Sequence, residues 1–140
     1  MTITVEDNLA IAELVARFAH YSDFGDWDAL AKLYVPEVET EMEGIALRFR
    51  GIDEQIEHAK VSEQQTQGKN RHYNFNLFLS EDDGEVQANY MFMNVNAGTA
   101  PMAGQIVVSG RMRDTVVKAD DGWKIARRFV RFDQDVNVTA

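Results

Sequence analysis

The second half of the chain is a succession of long strand-type segments joined by tight acidic turns, and this restricts the fold class most. From residue 70, "NRHYNFNLFLS" runs into the turn "EDDGE", and the strongly β-prone "VQANYMFMNVNAG" follows it. "GQIVVSGRMRDTVVKA" then leads to the turn "DDG", and "WKIARRFVRFDQD" closes the series. Segments of this kind between Asp-Gly turns read as an antiparallel meander. A sheet of that size must cover one face with another layer, and the first half of the chain supplies helices for it. In "TITVEDNLAIAELVARFAHYSDFGD", Thr4 and Asp7 are spaced as a capping pair. Leu9, Ile11, Leu14, Val15 and Phe18 give an apolar stripe, and Gly25 is a stop. Asp26 caps a second, short helix, "WDALAKLYV", expected to end before Pro36. Residues 38–50, centred on Gly44, predict a hairpin, and a third helix starts near Ile52 and ends before Gly68. Helices first and strands last predict an α+β fold: a curved antiparallel sheet, barrel-like, with three helices in the first half enclosing a cone-shaped pocket.

Composition narrows the function. The 140 residues fit one domain, 1–140, with no room for two ordinary cores. No apolar run approaches the roughly 18 residues that span a bilayer, and the N-terminus lacks a signal-peptide layout, so no membrane role is expected. Zero cysteines exclude a disulfide framework and a thiolate metal site, and the cytoplasm is the expected location. A net charge of −9 opposes nucleic-acid binding, which needs a basic surface. The arginines are nonetheless clustered: Arg111, Arg113, Arg127, Arg128 and Arg131 all fall on the last two strands.

Candidate chemistry starts from the histidines, His20, His58 and His72. His58 stands among Glu54, Gln55, Glu57 and Lys60 on a helix and reads as solvated, whereas His20 at the end of the first helix suits the helix dipole. Strand alternation places His72 with Asn74 and Asn76 on one face, and Tyr73, Phe75, Leu77 and Leu79 on the other. Asp23, at the C-terminal end of the first helix, opposes the dipole and has no capping duty, so its carboxylate calls for another partner. Paired with His72 it would fix the imidazole tautomer and prepare a proton-abstracting base. A strand histidine is otherwise a hydrogen-bonded pocket or core residue. A third arrangement, a metal held by His20, Asp23 and His72, is weaker because the pair accounts for two of the three. Asn74 and Asn76 can hydrogen-bond substrate oxygens or brace the sheet.

The stretches "YSDFGDWDALAKLYVPE", "FRGIDEQI", "RHYNFNLFLS" and "DDGWKIARRFVRF" together resemble the SnoaL-like branch of the nuclear-transport-factor-like superfamily, over roughly residues 5–134. Within it the sequence is most similar to the scytalone dehydratase, hexachlorocyclohexane dehydrochlorinase and bile-acid dehydratase group. The resemblance implies a dyad of Asp23 and His72 and a cofactor-independent elimination or isomerisation on a small hydrophobic substrate, aromatic or polycyclic, without a metal. Two positions depart from the group's pattern. Phe18 stands where some members have Lys or Tyr, and Ser22 where scytalone dehydratases have tyrosine, with Tyr21 one place earlier. Tyr34 and Arg128 are the substitutes for the missing helper, Arg128 matching a last-strand arginine of the dehydrochlorinases; strand alternation sends Arg127 the other way. Pairing of such an arginine with Asp114 is the plainer reading. Met91, Met93, Phe92 and Tyr90 supply pocket lining, core or interface. The apolar outer face calls for a homodimer through the sheet. Two readings without catalysis follow from the same fold: a small-molecule-binding protein, and an accessory subunit of a ring-hydroxylating oxygenase.

Overall fold

The computed structural model describes residues 2–44, 47–101 and 104–134. Helix α1, Val5–Asp23, begins with the Thr4–Asp7 pair closed in both directions at 3.0 Å. The Asp7 carboxylate also accepts from the Trp123 indole at 3.2 Å and from Lys118 at 3.4 Å. The backbone N–H of Thr4, foremost, holds the Asp7 carboxyl below its usual pKa, and the same group ties the helix start to the far end of the chain. Ile11, Leu14, Val15 and Phe18 are buried as the spacing predicts, but Leu9 is 68 % exposed. Two residues before Ile11, it lies about 200° round the helix from it.

The second helix is shorter than the sequence suggests. α2, Trp27–Ala31, gives way to strand β1, Tyr34–Met42. Tyr34 and Val35 are buried sheet residues, and the Leu33 carbonyl accepts the Ile125 N–H at 2.8 Å. The Leu-Tyr-Val run is thus claimed by a distant strand rather than by helix propensity. β1 turns through Gly44 (φ 86°) into β2, Leu47–Arg50, which leads directly into α3, Gly51–Gln65. The long strands are β3, Asn70–Asp82; β4, Glu85–Asn96; β5, Gln105–Ala119; and β6, Gly122–Phe132.

The six strands form one sheet in the order β2-β1-β6-β5-β4-β3. Every neighbouring pair is antiparallel except β1 and β6, which run parallel, so the sheet is mixed and not wholly antiparallel. It is also open, ending at β2 and β3, and the expected barrel is not closed. α1 packs against β3 and β6, and α3 against β1 and β2. The core between the layers is built on Ile11, Leu30, Val38, Phe92, Val116 and Ile125.

One irregularity decides which side chains face the helices. β3 pairs with β4 in register through Phe75↔Met91 and resumes at Phe78↔Asn89, so two residues of β3 oppose Tyr90 alone. Asn76, at φ 58°, is the bulged residue. His72 and Asn74 precede the bulge on the inner phase. Beyond it the phase reverses: Leu77 and Leu79 pack on the core, while Asn76 is exposed and reaches only the Met91 sulfur, at 3.3 Å. Simple alternation, which placed Asn76 beside His72 and the two leucines opposite, fails for this reason.

Gly110 marks the closest approach inside the sheet. A Cβ there would lie 2.1 Å from the Arg131 carbonyl oxygen and 2.9 Å from the Phe92 ring. Gly110→Ala is expected to lower the free energy of unfolding by about 1–3 kcal/mol, the usual effect of overpacking, as measured by denaturant titration.

Candidate functional site

Asp23 is the last residue of α1, and only 7 % of it is exposed. Its carboxylate makes two bonds to the same residue: Oδ2 accepts the His72 backbone N–H at 2.6 Å, and Oδ1 lies 2.5 Å from His72 Nδ1. The backbone bond fixes the distance between helix end and strand, and the ring bond fixes the imidazole plane. A carboxylate accepts only, so Nδ1 carries the proton and the neutral ring presents Nε2 as its lone-pair nitrogen. Nε2 has no hydrogen-bond partner among the described residues. The ring edge packs on Phe18, with centroids 5.3 Å apart at 66°.

A charged pair underlies this contact. On adjacent strands, Arg128 Nε donates to Asp114 Oδ1 at 2.8 Å and its Nη2 to Oδ2 at 2.9 Å; the Tyr90 hydroxyl donates to the same carboxylate at 2.7 Å. Arg128 is 5 % exposed and Asp114 not at all. Burial, the largest single influence, would lower the Arg128 pKa, but the Asp114 charge and hydrogen bond together with Tyr90 and Tyr34 outweigh it and hold the guanidinium protonated. The guanidinium carbon sits 3.8 Å from the centroid of the Phe18 ring. Phe18 therefore touches both Arg128 and His72, offering its face to the cation and meeting the imidazole in a T-shaped contact. Burial raises the Tyr34 and Tyr90 pKa values, so both are neutral phenols.

These groups line a cavity of about 110 Å³ between α1, α3 and the inner face of the sheet. Its walls include Phe18, Tyr34, His72, Phe92 and Arg128, together with Gln55, His58, Ala59 and Ser62 of α3. Thr40 of β1 donates to Gln55 at 2.9 Å, fixing α3 over the sheet. His58, although exposed as a residue, lays its ring against Phe49, with centroids 4.1 Å apart. Desolvation lowers its pKa first and the neighbouring His72 second.

Of the residues the sequence singles out, Asp23, His72, Tyr34 and Arg128 meet at this cavity or directly behind it. Arg128 is the inward arginine of its pair; Arg127 is exposed and joined to Glu85 at 2.7 Å. Arg128 also makes the cross-strand pair with Asp114, so it is a wall residue already engaged. Asn74 faces inward, but its amide is buried without a hydrogen-bond partner among the described residues, and Asn76 is on the outer face. His20 is exposed and takes no part; among the described residues no three His, Cys, Asp or Glu side chains converge as a metal would require. His58 is exposed, as its polar neighbours suggest, and it also belongs to the cavity wall, which the sequence reading does not include. Its signal was the spacing of Gln55, His58, Ala59 and Ser62, one face of a helix at i, i+3, i+4 and i+7.

A helix-backed mixed sheet with this cavity defines a class. Residues 4–129 match the SnoaL-like domain, and the chain belongs to that family. Among solved structures it is similar to a protein of unknown function with a cystatin-like fold from Nostoc punctiforme, at 20 % identity and a TM-score of 0.82, covering 98 % of each chain. ActVI-ORFA from Streptomyces coelicolor is 15 % identical with a TM-score of 0.83, over 94 % of this chain and 98 % of that one. A protein provisionally named scytalone dehydratase, from Novosphingobium aromaticivorans, is 22 % identical with a TM-score of 0.76, over 93 % and 86 %. At such identities the likeness is one of fold. No curated protein matches the chain.

The buried pair makes a separable stability test. Asp114→Ala leaves the Arg128 charge without its counter-ion and is expected to cost about 3–5 kcal/mol in denaturant unfolding. The double variant Asp114→Ala/Arg128→Met is expected to recover a large part of that loss.

Proposed function

We propose that the chain binds a small, largely apolar carbonyl or hydroxyl compound in the cavity and moves a proton on it. The reaction class is cofactor-independent elimination or isomerisation, with His72 Nε2 as base and Asp23 holding the ring and balancing its charge when protonated. The observation that carries this reading is the two-point bond from Asp23 to His72. It commits Nδ1 and leaves Nε2 for whatever occupies the cavity. Tyr34 is the neutral hydroxyl of the site, and Arg128, through Phe18, contributes positive potential next to the base.

The cavity volume limits the substrate. An apolar cavity of roughly 150 Å³ accepts benzene, so about 110 Å³ encloses no more than one ring. A polycyclic ligand would have to extend through the mouth. The relatives named as ActVI-ORFA and as a provisional scytalone dehydratase are compatible with chemistry on cyclic compounds. A second reading, ligand binding without turnover, is favoured by the engagement of Arg128 Nε and Nη2 with Asp114 and Tyr90, which commits those donors to the wall and not to a departing group.

Cyclohexanone in D₂O separates the two. We expect the wild type to speed exchange of its α-protons, followed by NMR, and His72→Gln to remove roughly 10²–10⁴-fold of that rate. Asp23→Asn should fall between them. Binding of the ketone with exchange no faster than buffer would leave only the second reading.

The proposal includes a second copy of the chain over the outer sheet face, where Tyr73, Phe75, Phe78, Met91, Ile106 and Val107 are exposed together. Sedimentation velocity should give a dimer for the wild type and a lighter species for Phe78→Glu; a monomeric wild type removes this part of the proposal.

A further inference from the structure

Proton abstraction is half of an elimination; the departing oxygen also needs a proton. Four ionisable side chains line the cavity: Tyr34, His58, His72 and Arg128. His72 is held by Asp23, and Arg128 is bonded to Asp114 and Tyr90 in an interior that keeps it charged. Tyr34 is buried, with its pKa raised first by that burial, which makes it a reluctant acid. His58 differs from all three. It comes from α3, on the opposite wall from the strand that bears His72. Its ring orientation is set by Phe49, no described residue hydrogen-bonds either ring nitrogen, and part of the residue meets solvent.

We infer that His58 is the general acid of this site, acting across the cavity from His72 on a β-hydroxy carbonyl compound of about one ring. This rests on the reading of His72 as base. His72 Nε2 takes the α-proton, the C–H electron pair forms the C=C bond, and the β-carbon–oxygen bond breaks. The departing oxygen takes a proton from protonated His58 and leaves as water. His58 regains a proton from solvent and His72 returns one there, so the net change is loss of one water with no oxidant or other co-reactant. The depressed pKa of His58, from desolvation and then from the neighbouring His72, makes its protonated form a readier proton donor than an ordinary imidazolium.

The test compares two reactions of the whole chain that share a base but not an acid. Exchange of cyclohexanone α-protons in D₂O needs the base alone. Dehydration of 3-hydroxycyclohexanone to cyclohexenone, followed by its ultraviolet absorbance, needs both. His58→Gln, checked for fold by circular dichroism, is expected to slow dehydration by at least about tenfold more than it slows exchange. With 3-acetoxycyclohexanone, whose acetate leaves without protonation, that extra loss should disappear. His72→Gln should abolish all three reactions. Equal losses in dehydration and exchange for His58→Gln overturn the assignment while leaving the His72 base standing. A selective loss of dehydration in Tyr34→Phe but not in His58→Gln moves the acid to Tyr34 and overturns it as well. A wild type that exchanges no cyclohexanone protons overturns both this inference and the reading beneath it.

Discussion

Putting a guanidinium and a carboxylate on the inner face of a sheet is unfavourable unless the two charges are paired and hydrogen-bonded, and the way Arg128 and Asp114 meet that demand positions much of the interior. Both carboxylate oxygens are used, the Tyr90 hydroxyl donates to one of them and accepts from Arg128 Nη2, and Phe18 lies over the guanidinium face. Three elements, β4, β5 and β6, are thereby cross-linked, and α1 is drawn onto them through Phe18. Since Phe18 also touches His72, the imidazole and the buried guanidinium share one aromatic neighbour. The departure at Phe18 from the Lys or Tyr of similar sequences is consistent with this arrangement: a flat apolar ring can serve the cation and the imidazole together.

The Asp23–His72 contact solves a different problem. A carboxylate at a helix C-terminus meets the negative end of the dipole and would ordinarily stay in solvent. Here it is buried, and two donors from one residue compensate it. The backbone bond is the more informative of the two, because it remains when the side chain at position 72 is changed. The geometry of the helix end is therefore tied to the strand backbone as well as to the histidine, so substitutions at His72 are expected to leave Asp23 in its place.

Local chemistry made much of this readable. The Thr4–Asp7 cap, the Asp-Gly turns and the strand segments obey short-range rules, and the sequence places each within a few residues. What it missed depends on partners distant in the chain. Nothing in Tyr34-Val35 says that Ile125 will claim them, so α2 was drawn too long and the parallel β1–β6 pairing did not show. The bulge at Asn76 was invisible for a related reason: a single left-handed residue in a β-prone run has no compositional mark, yet it reverses the face of every residue after it. Asp23 and His72 stand out because each is anomalous where it stands, and the structure brings the two into contact. His58 was passed over because glutamates flank it in sequence, although the helix turns them elsewhere.

The bulge has a consequence at the margin of the sheet. β3 is an outermost strand of 13 residues, long enough to offer a neighbouring chain a continuous row of unpaired backbone donors and acceptors. The irregularity at Asn76 divides that row into two short stretches whose directions no longer coincide, and Arg71, Glu81 and Asp82 put charge near the ends. Broken and charged edges resist strand addition. The segment that carries His72 is thus protected against aggregation by the same extra residue that directs its side chains.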